Sequence, residues 1–508
     1  MSLATVFSRA RLGLQAPTVT VEVHLSNGLP SLSIVGMAET AVKESKDRVR
    51  SAIINSRFEF PARRITVNLA PADLPKSGGQ FDLPIALGIL AASQQLPTES
   101  LAQYEFVGEL GLNGELRAVP GCLPAAIACG KQSRRFFCPT ENAQQVSLAD
   151  DVESFCGQSL LQVCAHLGGQ QSLLANVTEA YLATDSNHEH QQDLSDVKGQ
   201  RQAKRALEIA AAGQHHLLLY GPPGTGKSML ASRLPSVMPP LDKASAIEVA
   251  CVQSLTSGDV TQGYPQRPFA APHHTASAAS LVGGGSNPKP GEISLAHKGV
   301  LFLDELPEFQ RQVLEVLREP LECGSIRISR AAAQVEYPAR FQLVAAMNPC
   351  PCGFFGETTQ NVTARQQCRC SPDQVRRYRH RLSGPLLDRI DLHVPVLALK
   401  KGELYNTNRS ESSSTVQARV MLAYQRQLDR QGCSNAALSA AQLETICPLN
   451  EHQKQLMENT MLTMGYSARV LHKVIKVART IADLATETHL RDEHLMEAFS
   501  YRSMDRSV

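Results

Sequence analysis

The chain has 508 residues, 43% hydrophobic and 19% charged, which is too long for one core and too apolar for a disordered polymer. Lys and Arg total 50 against 48 Asp and Glu, a net charge of +2, so a general polyanion binder is excluded and any nucleic-acid site must be a local patch. Thirteen cysteines without a compact framework suit a reducing, cytoplasmic interior, and the longest near-apolar run, LPIALGILAA at 83–92, is too short to span a bilayer. The opening MSLATVFSRARLGL lacks a continuous apolar core and a cleavage site, so it reads as structure rather than as a targeting segment.

In chain order, TVTVEVHL at 18–25 alternates with period two and leads through Asn27-Gly28 into LSIVG, the pattern of a hairpin. AETAVKESKDRVRSAIINS has helical spacing, RITVNLAP reads as a strand and FDLPIALGILAASQQ as an apolar helix. EFVGELGLNGELRAV is a second hairpin turning at Asn113-Gly114, followed by the helical LPAAIACG. This mixture predicts an α+β domain over 1–168. A polar linker at 169–195 follows, containing TDSNHEHQQD. Strands and helices then alternate over 196–396, beginning with the helix GQRQAKRALEIAAAG and the strand HHLLLY, and a helix-rich region occupies 397–508.

GPPGTGKS, comprising Gly221, Pro222, Pro223, Gly224, Thr225, Gly226, Lys227 and Ser228, lies between that strand and the helical MLASRLPSVM. It matches the phosphate-loop pattern in its required setting. The glycines let backbone N–H groups wrap phosphates, Lys227 reaches the β- and γ-phosphates, and Ser228 holds Mg²⁺. A second strand, GVLFLDE, carries Asp304 to its C-terminal edge beside the phosphate loop. Asp304 is expected to support Mg²⁺ and Glu305 to deprotonate the attacking water. A third strand, FQLVAAMNP, ends at Asn348, an amide suited to positioning that water.

Cys350, Cys352, Cys368 and Cys370 form two C-x-C pairs within 21 residues. Four thiolates can close a tetrahedral structural Zn²⁺ site that braces the loop after Asn348, although C-x-C is tighter than the usual spacing; reduced thiols are the alternative.

GPPGTGKS, GVLFLDE, AAMNP, SGPLLDRID and YSARVLHKVIKVARTIADL together resemble the successive signatures of an AAA+ ATPase. FAAPHHTAS and ISRAAAQVEYPARFQLVAAMNPCPCG narrow the resemblance to the magnesium-chelatase-like branch and, within it, the ComM/YifB family. It extends over essentially the whole chain. The resemblance implies an α/β fold, with an AAA+ P-loop core and C-terminal helical lid behind an α+β Lon-protease-like domain. It also implies ATP and Mg²⁺ as cofactors and a homo-hexameric ring. On the same basis Arg389 is the arginine finger offered to a neighbour, Arg469 is the sensor arginine at the start of a lid helix, and DVKGQ at 196–200 lines the adenine pocket. The bland reading of either arginine is a surface ion pair. In the Lon-type fold the nucleophile position falls at Gln80 and the lysine near Leu123 or Pro124, so no peptidase activity is expected.

Two segments elaborate the ATPase core. One is the stretch FAAPHHTASAASLVGGGSNPKPGEISLAHKGVLFLDE at 269–305, whose loop-like left part precedes the strand, and the other is the β-alternating CGSIRISRAAAQVEYPARF. Related ring motors resemble this in pointing both into the pore. His273, His274, Lys289, Arg327 and Arg330 are then candidate DNA contacts, none of them expected to belong to the phosphate site. The expected function is an ATP-driven ring acting on DNA by branch migration or helicase activity during recombination of transforming DNA. The alternative is a chelatase-type ATPase that remodels a protein partner.

Overall fold

A computed structural model describes residues 3–36, 39, 42, 44–176, 192–256, 260, 263–285, 288–329, 334–356, 367–398 and 410–502. The period-two pattern at the N-terminus becomes strands whose inward valines fill one core: Val19, Val21 and Val23 are fully buried and Leu25 nearly so. The strands are β1 (Leu3–Arg9), β2 (Thr18–Ser26), β3 (Ser31–Val35), β4 (Arg64–Ala70) and β5 (Tyr104–Phe106). The short hairpin β6 (Glu109–Leu110) and β7 (Leu116–Arg117) comes next, then β8 (Arg135–Pro139) and β9 (Ser154–Gly157). Seven of them make one sheet in the order β3-β4-β2-β1-β5-β8-β9. The helix Asp82–Ala92 is buried on every side, which is why its sequence is apolar all round.

One expectation fails here. Asn27-Gly28 does turn the chain, but β2 and β3 do not pair; β4 lies between them, antiparallel to β2 and parallel to β3. The hairpin signal is local, whereas β4 offers Ile65, Val67 and Leu69 to the same core. At Asn113-Gly114 the pattern holds, and β6 and β7 pair antiparallel.

The second sheet is built from β10 (Leu217–Tyr220), β11 (Phe269–Ala270), β14 (Val300–Leu303), β17 (Gln342–Met347) and β18 (Leu392–Pro395). Between them lie the hairpins β12 (Gly283–Gly284) with β13 (Lys289–Pro290) and β15 (Ser325–Ser329) with β16 (Gln334–Pro338). The five strands are all parallel, in the order β11-β14-β17-β10-β18. Strands β14 and β17 are buried throughout, matching their unbroken apolar runs. The strand carrying Asp304 is therefore not the direct neighbour of the phosphate-loop strand: β17, which carries Asn348, separates them.

Helices Ser413–Gln431 and Ala468–Leu484 pack on Arg201–Gly213, and their apolar faces are continuous with the β10 core. The C-terminal helices thus share the sheet's hydrophobic interior. Their buried Asp483 is paired with Arg430 at 2.7 Å and Arg479 at 3.0 Å, as a buried charge requires. The two sheets meet where helix Lys243–Ser254 packs on helix Cys122–Gly130, with Gly121 N–H donating to the Ser254 carbonyl at 2.8 Å. Among the described residues no helix is long and apolar enough to cross a membrane.

Candidate active site

Strand β10 ends at Tyr220 and delivers the glycine loop to the carboxyl edge of the parallel sheet, where ligand sites of such sheets form. Gly224 and Gly226 have φ of +76° and +90°, conformations that favour glycine, and a Cβ added at either would meet nothing within 4 Å. The loop is an open cradle of backbone. Lys227 is largely buried; its Nζ donates to the carbonyls of Gly221 and Pro222, both at 2.8 Å, and to Asn348 Oδ1 at 3.2 Å. Burial pulls its pKa below the usual lysine value, against the opposing fields of Asp304 and Glu305. Gln200 ties DVKGQ to this loop by donating from Nε2 to the carbonyls of Thr225 at 3.3 Å and Leu397 at 2.7 Å.

Ser228 Oγ donates to Asp304 Oδ2 at 2.7 Å, so the hydroxyl and carboxylate converge although their strands are not adjacent. Glu305 follows in the left-handed region, φ +52° and ψ +46°. For a non-glycine residue this costs about 1 kcal/mol, strain that sets the Glu305 side chain off from the strand. Its Oε2 lies 3.1 Å from His274 Nδ1. This corrects the expectation that the histidines stand apart from hydrolysis. His274 touches the proposed base, and His273 lies against it with ring centroids 4.1 Å apart.

Arg389 and Arg469 come together on a residue that the sequence did not single out. Glu322 Oε1 accepts from Nη2 of each, at 2.5 Å in both cases. Arg389 also donates to the Pro385 carbonyl at 2.6 Å. Lys473, on the helix that begins at Ala468, bonds the Arg389 carbonyl and Asp391 Oδ1, both at 2.6 Å. No local motif marks Glu322, and Lys473, although it lies within YSARVLHKVIKVARTIADL, is not singled out by it.

Lys289 and Arg327 are exposed on their two hairpins, and Arg327 faces Glu336 at 3.5 Å. Tyr337 of the second hairpin donates to the Pro288 carbonyl at 2.7 Å, joining the two elaborations. Arg330 lies outside the described residues. Gln80 is buried and donates from Nε2 to the Arg9 carbonyl at 2.7 Å. The cleft beside it, which Cys122 and Leu255 also line, holds about 10 Å³ of open space, with no room for a peptide.

Cys350, Cys352, Cys368 and Cys370 have their sulfurs within 4.8 Å of one another. Individual separations are 3.3 Å for Cys350–Cys352, 3.6 Å for Cys352–Cys368 and 3.8 Å for Cys350–Cys368. A tetrahedral Zn²⁺ with bonds of about 2.3 Å spaces its sulfurs by about 3.8 Å, so the cluster is compatible with the ion. Against burial, backbone N–H groups of Phe354 and Arg369 hold the Cys352 thiol down at about 6. The cluster leans on the nucleotide loop: a Cβ added at Gly353, φ +86°, would lie 2.7 Å from Pro223 Cδ.

Family models described as "Magnesium chelatase, subunit ChlI", "Subunit ChlI of Mg-chelatase" and "Magnesium chelatase, subunit ChlI C-terminal" match residues 193–404, 21–142 and 410–502. The chain is 52% identical over 509 residues to competence protein ComM of Haemophilus influenzae, covering 100% of this chain and 98% of that protein. It is 51% identical to YifB of Salmonella typhimurium and 50% to YifB of Escherichia coli, with the same coverage. The chain belongs to the ComM/YifB family.

A ComM/YifB chain is a magnesium-chelatase-like AAA+ ATPase, with ATP and Mg²⁺ as its implied cofactors. The residues fit both. The open glycine cradle with the Lys227 ammonium suits a polyphosphate, and the Ser228 and Asp304 oxygens suit a hard cation. When bound, Mg²⁺ neutralises phosphate charge. Glu305 can take a proton from water, with His274 beside its carboxylate.

Proposed function

We propose that this ComM/YifB chain is an ATP-driven motor that assembles as a homo-hexameric ring in the cytoplasm and acts on DNA, by branch migration or helicase activity during recombination of transforming DNA. The observation that carries the reading is the His274–Glu305 contact at 3.1 Å. It links the first elaboration to the group assigned to water activation, so a strand gripped there would be felt at hydrolysis. Full-length similarity to a relative named a competence protein supports DNA as the substrate. Lys227 binds phosphate, Ser228 and Asp304 hold Mg²⁺, Glu305 is the base and Asn348 places the water. Arg389 serves the adjoining subunit's nucleotide and Arg469 senses it. Lys289 and Arg327 supply DNA phosphate contacts, and the four cysteines hold a structural Zn²⁺. Residues 1–168 act as an inactive Lon-like domain, a reading favoured by the filled cleft at Gln80.

A second reading, a chelatase-type ATPase that remodels a protein partner, draws on the three magnesium-chelatase family matches. DNA-stimulated ATP hydrolysis separates the two. DNA should raise the ATPase rate, and a Lys289→Ala, Arg327→Ala double variant should blunt that rise and make DNA binding less salt-sensitive while leaving the basal rate unchanged. Each lost phosphate contact lowers the salt slope by about one unit. A rate indifferent to single-stranded, duplex and branched DNA would favour the chelatase-type reading.

A further inference from the structure

Glu322 stands on the helix Arg318–Cys323, Arg389 just before β18, and Arg469 at the start of the helix Ala468–Leu484. These three elements meet at one carboxylate oxygen, which takes an N–H from each guanidinium at 2.5 Å. The two Nη2 atoms therefore lie within twice that distance of each other. Two guanidinium charges so close repel unless an anion stands between them. The Arg389 side chain is 11% exposed and fixed further by its bond to Pro385, whereas that of Arg469 is 48% exposed. Glu322 is thus the anchor that gives the freer arginine the position of the more constrained one. Each guanidinium has five N–H donors, so the bond to Glu322, with a second to Pro385 in the case of Arg389, still leaves donors for an incoming anion.

We propose that Glu322 is a positioning residue that fastens Arg389 and Arg469 into one two-arginine unit, so that finger and sensor reach the transferring phosphate together. The proposal rests on the motor reading above, in which both arginines serve ATP hydrolysis. It adds a residue whose only action on the reaction is through those two.

The test is steady-state ATP hydrolysis by full-length wild type, Glu322→Ala, Glu322→Gln, Arg389→Ala and the Glu322→Ala, Arg389→Ala double variant. Losing one charge-assisted hydrogen bond per arginine should lower kcat about tenfold in Glu322→Ala. The KM for ATP should stay within about twofold, because binding of the subunit's own nucleotide is untouched. Glu322→Gln keeps an acceptor oxygen but loses the charge, and should fall between the two. In the double variant the loss should be smaller than the two single losses combined, because with Arg389 gone Glu322 has only Arg469 left to place. Melting temperatures like that of the wild type are expected, since Glu322 is half exposed. Losses that add in the double variant, or a raised KM with kcat intact, would overturn the positioning role. Normal turnover in Glu322→Ala with an inactive Arg389→Ala would sink the Glu322 proposal and leave the motor reading standing. Normal turnover in Arg389→Ala would overturn both.

Discussion

The imidazole of His274 and the carboxylate of Glu305 are 3.1 Å apart, Nδ1 to Oε2. They approach from opposite ends of one stretch, the first from the elaboration and the second from the end of β14. A His274→Ala variant should therefore slow basal ATP hydrolysis several-fold as well as weakening its response to DNA. A general base that loses an orienting partner gives up part of the 10²–10⁴-fold that such catalysis supplies. Phosphate release measured without DNA checks this, and an unchanged rate would make the contact incidental.

Lys227→Ala and Glu305→Gln should fail differently. The first removes an ammonium held against the cradle, and should weaken ATP binding by about 2 kcal/mol, one charge-assisted interaction. The second keeps the side chain's shape, so affinity should be retained while turnover drops by at least about 10². Titration with a fluorescent nucleotide, alongside phosphate release, separates the two.

Metal analysis of purified protein should return about one zinc per chain. Cys352→Ser should lose the metal and lower the melting temperature. Because Gly353 abuts Pro223, it should also loosen nucleotide binding. Metal-free protein with wild-type melting and ATPase activity would reduce the four cysteines to ordinary thiols.

Acid should weaken the ATPase core through His216. Burial pushes this imidazole down from its usual 6.5 to about 4, with the nearby Lys473 and His215 adding to the effect and Asp391 opposing it. Its Nδ1 accepts from Leu343 N–H at 3.0 Å, so that nitrogen must stay unprotonated. The folded pKa lies below the unfolded one, so as pH falls the unfolded chain takes the proton first. Stability is then lost between about 6.5 and about 4, by up to about 3 kcal/mol. His216→Asn, which keeps an acceptor but cannot be protonated there, should flatten the fall of the urea midpoint over this range. Parallel curves for the two proteins would assign the acid sensitivity to other groups.

Much of the candidate nucleotide site was legible because its parts are short and local. The glycine loop, the strand ending in Asp304 and the strand ending in Asn348 each declare themselves within ten residues. What could not be read was non-local. β4 displaces β3 from β2, a choice made by a partner strand that the turn at Asn27-Gly28 cannot report. β17 enters between β14 and β10 for the same reason. Glu322 meets arginines 67 and 147 positions away, and an exposed glutamate on a six-residue helix carries no local mark of that. The contact of His274 with Glu305 was equally invisible, because it depends on how the intervening chain folds back to the sheet edge.

The sheet order has a consequence for how the protein comes into being. β10 at 217–220 forms the phosphate loop's footing, yet both strands that flank it, β17 at 342–347 and β18 at 392–395, are made much later. During synthesis the loop leaves the ribosome with no sheet to stand on, and the burial of β10 waits for distant chain to arrive. ATP therefore cannot steady the early nascent chain. It stabilises only a chain made past β18, as a ligand that binds the folded state alone must. A chain truncated before β18 should have no pocket for the nucleotide to rescue.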